Sequence, residues 1–470
     1  MDTKKRNIVI AIMVSMFLAA FEGTVVTTAL PTIAKSLNGY NLISWVFSAY
    51  LLTSAVSTPI YGKLSDLYGR KKMLTIGIVI FLIGSSLCGF SQSMFQLIIF
   101  RAIQGIGAGS ILTITFTIVG DLFDLEERSK VQGLLSTVWG VASLLGPFIG
   151  GYFIDYLSWH WIFFINIPFG IISLFLLNKN LDEQVSNTKP KIDYLGSLLL
   201  TIAIVSILLC VFTSSTCARV IYIICFIVSL TIFYFVENKC EEPVVPFDIF
   251  SKDTILMNVI AFFIAAILMA VEAYTPLYTQ NVLGYSAKVS GLSMAPMSLT
   301  WLLSSFFLVK LFKKFGEKKV ILGSILILAL TSYLLRFLTP NTPLIYFIII
   351  VFIMGAGFGG ALNSLTILIQ NAASYEKRGA ATSTNALIRT LGQTIGVSIL
   401  GGLVNSSLSS YFSNSNISGV TADNIYSSGA SSIQIKEAFF SGVHNIFYSL
   451  IFLAIISFVV GMFISKESKL

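Results

Sequence analysis

The sequence predicts an all-α integral membrane protein of about fourteen transmembrane helices, arranged as two six-helix bundles joined by two extra central helices. Three observations carry that prediction: the scarcity of charge, the recurrence of apolar runs of spanning length, and an internal repeat. Charged residues make up 11% and hydrophobic residues 55% of the 470 positions, and the mean hydropathy is +0.86. A soluble domain carries about 25% charged residues, so most of this chain faces lipid. A bilayer core of about 30 Å needs about 20 apolar residues per helix. Runs of that length recur from Ile8 to Ile464 and leave no room for a large soluble domain. Backbone groups in hydrocarbon must bond internally, and these runs are too long and too evenly apolar for barrel strands, which leaves a helical bundle.

The predicted spans are 8–30, 43–62, 73–91, 95–119, 132–154, 160–178, 193–212, 218–236, 255–278, 287–310, 319–337, 343–369, 380–405 and 443–464. Lys4, Lys5 and Arg6 before the first run resemble a signal peptide, but the run continues to Leu30 without a small-residue cleavage site, so an uncleaved span is expected. With the N-terminus inside, the inside loops collect Lys63, Arg70, Lys71, Lys72, Arg128, Lys130, Lys310, Lys313, Lys314, Lys318 and Lys319. The outside loops hold Lys35, Lys288 and Lys436. This bias places both termini in the cytoplasm of a cell that carries the protein in its plasma membrane. It also accounts for the net charge of +8 without nucleic acid as a partner, since the basic residues do not gather on one amphipathic surface. The Ser- and Asn-rich segment of about 406–440 is expected outside as a long, partly ordered loop. Five scattered cysteines without a CxxC suggest neither zinc nor a disulfide framework, and no metal or cofactor is expected.

The repeat is the third observation. Gln104-Gly105-Ile106-Gly107-Ala108-Gly109 returns as Met354-Gly355-Ala356-Gly357-Phe358-Gly359, and Arg128 returns as Arg378. The loop from Gly62 to Lys72 has a degraded echo from Val309 to Lys319, with Lys313 where Asp66 would be. The chain therefore divides into an N-terminal bundle at 1–192, two additional helices and a linker at 193–254, and a C-terminal bundle at 255–470. Parallel repeats with a site between them near the midplane are the layout of a rocking transporter.

Several segments resemble the major facilitator superfamily, and within it the fourteen-spanner drug:proton antiporter family of multidrug efflux type. They are Glu22-Gly23-Thr24-Val25-Val26 through Pro31, Gly62 through Lys72, Arg101 through Gly107, Gly140 through Gly146-Pro147-Phe148-Ile149-Gly150-Gly151, and Trp159-His160-Trp161 through Asn166-Ile167-Pro168. Each is weak alone, but five in order at the expected spans are specific. The resemblance covers nearly the whole chain. It implies the major facilitator fold, a bacterial cell membrane, no cofactor beyond the proton gradient, and the Gly140–Gly151 motif of exporters that exchange substrate for protons: Gly140, Gly146, Pro147, Gly150 and Gly151. The family usually has aspartate where Glu22 stands and arginine where His160 stands; His160, at the external edge, is open to interfacial packing or proton relay.

Physical argument runs beside the resemblance. Gly62 and Gly69 allow a tight turn, Asp66 can accept from a neighbouring helix N-terminus, and Arg70 can pair with an acid, together a conformational latch; the bland alternative is topogenic charge. The glycines of the fourth span sit inside an apolar helix rather than after a strand, which rejects a nucleotide fingerprint in favour of close helix packing. Pro147 removes a helix donor and can bend its span. Intramembrane charge costs about 2.5–3.5 kcal/mol at midplane, so the few such residues are the strongest site candidates. Glu22 and Arg101 can form an ion pair, and Glu272 stands 250 residues after Glu22, with Arg389 the remaining cation and a candidate partner. Proton coupling is expected from Glu22, Arg101 and Glu272. The substrate cavity is expected from Glu22, Glu272, Phe21, Tyr50, Trp139, Tyr274 and Arg389, whose rings suit amphipathic cations.

The expected partners are small amphipathic substrates, protons and lipid, and the expected state is a monomer. The expected activity is proton-coupled export of drugs, dyes or cationic compounds by alternating access. The alternatives are a dedicated exporter of a metabolite, lipid precursor or siderophore, and a transport-dead sensor. His160 and His444 are isolated, and the sequence offers no catalytic constellation for an enzyme.

Overall fold

The structure, a computed structural model, describes residues 3–123, 125–182, 194–213, 215–240, 247–373, 378–415, 420, 425 and 430–465. The helices are α1 (Thr3–Ser36), α2 (Ile43–Tyr68), α3 (Arg70–Gly89), α4 (Met94–Leu122), α5 (Leu125–Tyr156), α6 (Trp161–Phe164), α7 (Asn166–Asn180), α8 (Tyr194–Phe212), α9 (Thr216–Glu237), α10 (Lys252–Leu277), α11 (Ala287–Phe315), α12 (Glu317–Leu335), α13 (Leu344–Ala372), α14 (Arg378–Asn414) and α15 (Ser432–Met462). Among the described residues 13 spans are long and apolar enough to cross a bilayer, with α6 and α7 counted as one. The apolar stretch Leu195–Ile207 of α8 supplies the remaining hydrophobic helix. The chain forms two compact units, residues 1–29 with 45–244 and residues 30–44 with 245–470.

Helix starts follow from local chemistry. Ser93, Ser251 and Ser286 accept from the backbone N–H three residues on and cap α4, α10 and α11. The two tightest reversals need no side chain. Gly69 (φ 93°) lies between α2 and α3, and Gly316 (φ 81°) lies between α11 and α12, in a region closed to most residues with a Cβ. Gly62 lies inside α2, where an added Cβ would meet only Thr113 Cγ2 at an ordinary 3.6 Å. The expected two-glycine turn is therefore made by Gly69 alone, because one residue at positive φ reverses the chain.

The repeat reappears as packing. A Cβ on Gly105 would sit 2.3 Å from Tyr50 O, and one on Gly355 would sit 2.1 Å from Met297 O. One on Gly109 would lie 2.6 Å from Ser54 O, and one on Gly359 the same distance from Trp301 O. In each unit α4 or α13 thus lies directly on the backbone of its neighbour, the close approach that small residues permit in lipid. A second crossing carries the same two residues exchanged. Gly77 faces Ser110 between α3 and α4, whereas Ser324 faces Gly360 between α12 and α13.

Lysines taken as topogenic have structural partners. Lys71 Nζ donates to Asn178 O at 3.0 Å, and Lys318 Nζ donates to Met462 O at 2.7 Å and Ile464 O at 2.6 Å. Each ammonium meets the carbonyl end of a helix, α7 in the first unit and α15 in the second, where the dipole favours positive charge. Lys4 pairs with Asp182 in the first unit, and this contact holds the Asp182 carboxyl below the usual carboxylate range. In the second unit Asp253 accepts from Ser465.

The expected loop of about 406–440 is shorter: α14 continues to Asn414 and α15 begins at Ser432. Ser431 and Gln434 form a reciprocal capping box, so the polar residues that suggested a loop instead start a helix. The side chains of Asp66, Arg128, Lys130 and Arg378 lie outside the described residues, as does most of 416–429.

Candidate functional site

The first unit buries an acid and a base together. Glu22 on α1 is 0% exposed and Arg101 on α4 is 1% exposed, with Arg101 Nη1 2.6 Å from Glu22 Oε1. The same Nη1 donates to Gln104 Oε1 at 2.8 Å, one helical turn away, and Arg101 Nε donates to Val46 O at 3.3 Å. The guanidinium carbon lies 4.2 Å from the centre of the Tyr50 ring, a cation–π contact. The second carboxylate oxygen accepts from Asn166 Nδ2 at 2.6 Å. Asn166 also donates to Ser85 Oγ at 2.9 Å, and Ser85 Oγ donates to Phe163 O at 2.8 Å. Asn166 is the first residue of α7, placed there by the break at Ile165 that separates α6 from α7. The pair tolerates burial because every strong contact is charge-assisted or aromatic; taking away Arg101 would strand a buried carboxylate. Gln104 Nε2 is buried without a hydrogen-bond partner.

The second unit lacks this arrangement. Glu272 and Arg389 form no ion pair with each other or with any other described residue. The Arg101–Gln104 part of the network has no counterpart in the repeat: Val351 stands where Arg101 does and Met354 where Gln104 does. The expected Glu272–Arg389 partnership is therefore absent. Tyr274 is 2% exposed and donates its hydroxyl to Val397 O at 2.7 Å, so it joins α10 to α14. Thr24, its counterpart on α1, donates to Ala142 O on α5 at 3.1 Å. Phe21 is buried against Phe17, with ring centres 5.3 Å apart, while Trp139 is 40% exposed.

At the loop after α2, Arg70 Nε donates to Asp121 Oδ2 on α4 at 3.0 Å and its Nη1 donates to Ser65 Oγ. Glu317 follows Gly316 where Arg70 follows Gly69, so the charge at this point is reversed in the second unit. On α5, Gly146 and Gly150 let the helix lie on Thr24 and Val25 of α1; added Cβ atoms would be 2.1 Å from Thr24 Oγ1 and 2.9 Å from Val25 O. Pro147 lies inside α5, and Gly140 and Gly151 are buried.

The model of the Major Facilitator Superfamily matches residues 12–397. The chain belongs to that superfamily. It is 35% identical over 401 residues to multidrug resistance protein 3 of Bacillus subtilis (strain 168), covering 84% of this chain and 78% of that protein. It is 31% identical over 397 residues to the multidrug efflux pump SdrM of Staphylococcus aureus (strain N315), covering 84% of this chain and 88% of that protein. Among solved structures it resembles an inward-facing, occupied bacterial homologue of the human lysosomal transporter Spinster, with TM-score 0.74, 14% identity, and 99% and 98% of the two chains covered. That last likeness shows the fold alone. The major facilitator fold, multi-pass and all-helical, is thus the frame for the charged cluster.

Sequence reasoning brought Glu22 and Arg101 together but gave Asn166, Gln104 and Ser85 no role. Asn166 stood within a quoted superfamily segment, next to a proline that opens a helix, and that was the available signal. Ser85 carried none, since a lone serine in an apolar span reads as packing.

Proposed function

We infer that this major facilitator protein exports amphipathic drugs, dyes or cationic compounds from the cytoplasm in exchange for protons, by alternating access. The observation that carries the reading is the fully buried Glu22 carboxylate held by Arg101 and Asn166 inside the apolar core of a unit. A carboxylate so placed is expensive to keep charged unless it is paired, so its proton occupancy responds to any change in its partners. The efflux names of the relatives support drugs as the substrate class. The lysine and arginine bias of the loops supports a plasma-membrane protein with both termini cytoplasmic.

Glu272 takes a different part in this reading. Without a cationic side chain beside it, its carboxylate is available to a positively charged substrate, whereas Glu22 is committed to Arg101. The test is Glu22→Gln in inverted vesicles with an imposed pH gradient. Substrate-coupled proton movement is expected to fall below detection while the protein inserts and purifies normally. Coupled transport at the wild-type rate would overturn the reading.

A further inference from the structure

We propose that Asn166 is a positioning residue that reverses its hydrogen-bond direction when Glu22 takes up a proton, and that Ser85 passes the reversal to the α6–α7 break. The proposal rests on the exchange reading for Glu22. In the structure both N–H groups of the Asn166 amide are committed, one to Glu22 Oε2 and one to Ser85 Oγ. The Ser85 proton is committed in turn to Phe163 O, two residues before the break at Ile165 and three before Asn166, where α7 starts. The chain of donors therefore runs in one direction, with Asn166 feeding both Glu22 and Ser85 and Ser85 feeding the backbone.

Protonation at Oε2 turns an acceptor into a donor. An N–H facing the new O–H would lose its hydrogen bond in a site with 0% exposure, where no water replaces it. The amide offers a direct remedy, because a half-turn about its last side-chain bond exchanges carbonyl oxygen and nitrogen. Oδ1 then accepts from the Glu22 hydroxyl, and it also meets Ser85, whose hydroxyl turns to donate to it. Ser85 thereby releases Phe163 O. The balance is one proton gained by Glu22 from solvent, two N–H···O contacts of the amide replaced by two O–H···O contacts, the amide N–H groups carried to the side that Oδ1 leaves, and one backbone carbonyl released by Ser85 at the break in the helix.

Arg101 has no need to move in this exchange. It keeps Gln104 Oε1, Val46 O and the face of the Tyr50 ring, neutral partners that do not change when Glu22 is protonated. The mobile end of the network is thus the amide on α7, and the fixed end is the cation on α4. Gln104 and Cys88 complete the neighbourhood: Cys88 Sγ donates to Gln104 Oε1 at 3.8 Å and takes no part in the reversal. No other charged side chain contacts Glu22, Asn166 or Ser85 among the described residues.

The experiment uses full-length purified protein, with ethidium-driven proton release and vesicle efflux each measured from pH 5.5 to 9. Asn166→Leu removes the donor that favours the charged carboxylate, so the midpoint of proton release is expected to move upward by about one pH unit. Ser85→Ala leaves the Asn166–Glu22 contact in place. It is expected to keep the wild-type midpoint of proton release while slowing efflux about tenfold or more, a split between the two readouts that general loosening of the fold would not give. In the double variant, efflux should fall no further than in the worse single variant. A wild-type midpoint in Asn166→Leu, or wild-type efflux in Ser85→Ala, overturns the proposal. If Asn166→Leu does not fold, Ser85→Ala decides alone. Glu22→Gln separates the two ideas: wild-type coupled export in that variant overturns the exchange reading and this proposal together, whereas lost coupling there with wild-type Ser85→Ala overturns only the relay.

Discussion

The two units share their backbone crossings and differ in their charges. Gly105 and Gly355 each lie on a neighbour's carbonyl, Gly69 and Gly316 each reverse the chain at positive φ, and Lys71 and Lys318 each hold the carbonyl end of a helix. Yet Glu22 sits in a network of Arg101, Asn166 and Gln104, while in the second unit Val351 and Met354 stand at the positions matching Arg101 and Gln104. The difference separates two demands on a duplicated fold. Helix contact in lipid depends on small residues at fixed spacing and constrains both copies alike. Charge placement is free to diverge once one copy holds a complete ion pair.

The sharpest way to break this comparison is to open that network. Arg101→Leu leaves Glu22 buried without its cation, and thermal unfolding in detergent is expected to show a loss equivalent to about 3–5 kcal/mol. Adding Glu22→Gln should restore most of that stability and none of the coupled transport. If the double variant stays as unstable as the single one, the pair is not the unit of stability described above.

Next in size is the open carboxylate. Glu272→Gln is expected to leave thermal stability within about 0.5 kcal/mol of wild type, since no ion pair is lost. Efflux of ethidium-like cations should fall about tenfold or more while an uncharged amphipath is spared, because a half-buried charge attracts a cation more strongly than one in water does. Equal loss for both substrate classes would show that Glu272 also carries protons.

The exchanged small residues allow a finer test. Gly77→Ser should cost about 1–3 kcal/mol, since its Cβ would lie 2.2 Å from Ser110 Cβ. Gly77→Ser combined with Ser110→Gly reproduces the second unit's arrangement and should recover most of the loss, read as the unfolding midpoint of each variant.

The smallest effect concerns His160, whose ring stacks on Trp159 at 3.8 Å and bonds Ser158 through Nδ1 at 2.6 Å. Burial holds its pKa below the ordinary value of about 6.5. The unfolded chain therefore takes up the proton first. The stabilisation is present above about pH 6.5 and is lost as the pH falls from there toward the lower folded value. Wild type should lose slightly more thermal stability than His160→Gln between pH 7.5 and 5.5; parallel curves would remove His160 from the account.

The spans were legible because lipid leaves one solution for an apolar run of that length, and Glu22 with Arg101 because charge inside such runs is rare. What stayed hidden had an ordinary residue type in a special place. Ser85 looks like every other serine until α7 brings Asn166 to it. Lys71 looked topogenic because the carbonyl it meets, that of Asn178, lies 107 residues away in sequence. Gly62 misled in the opposite direction, a glycine in a quoted motif with no backbone demand on it.

The crossing where Gly77 meets Ser110, and Ser324 meets Gly360, also limits how the duplicated gene diverged. A serine on both helices is blocked by the 2.2 Å approach. Using these two residues alone, an ancestor of one arrangement reaches the other only through glycine on both helices, a loosely packed intermediate that is tolerated because a small void costs less than a clash. On that path the geometry favours one order of substitution, loss of the serine before its replacement arises on the opposite helix.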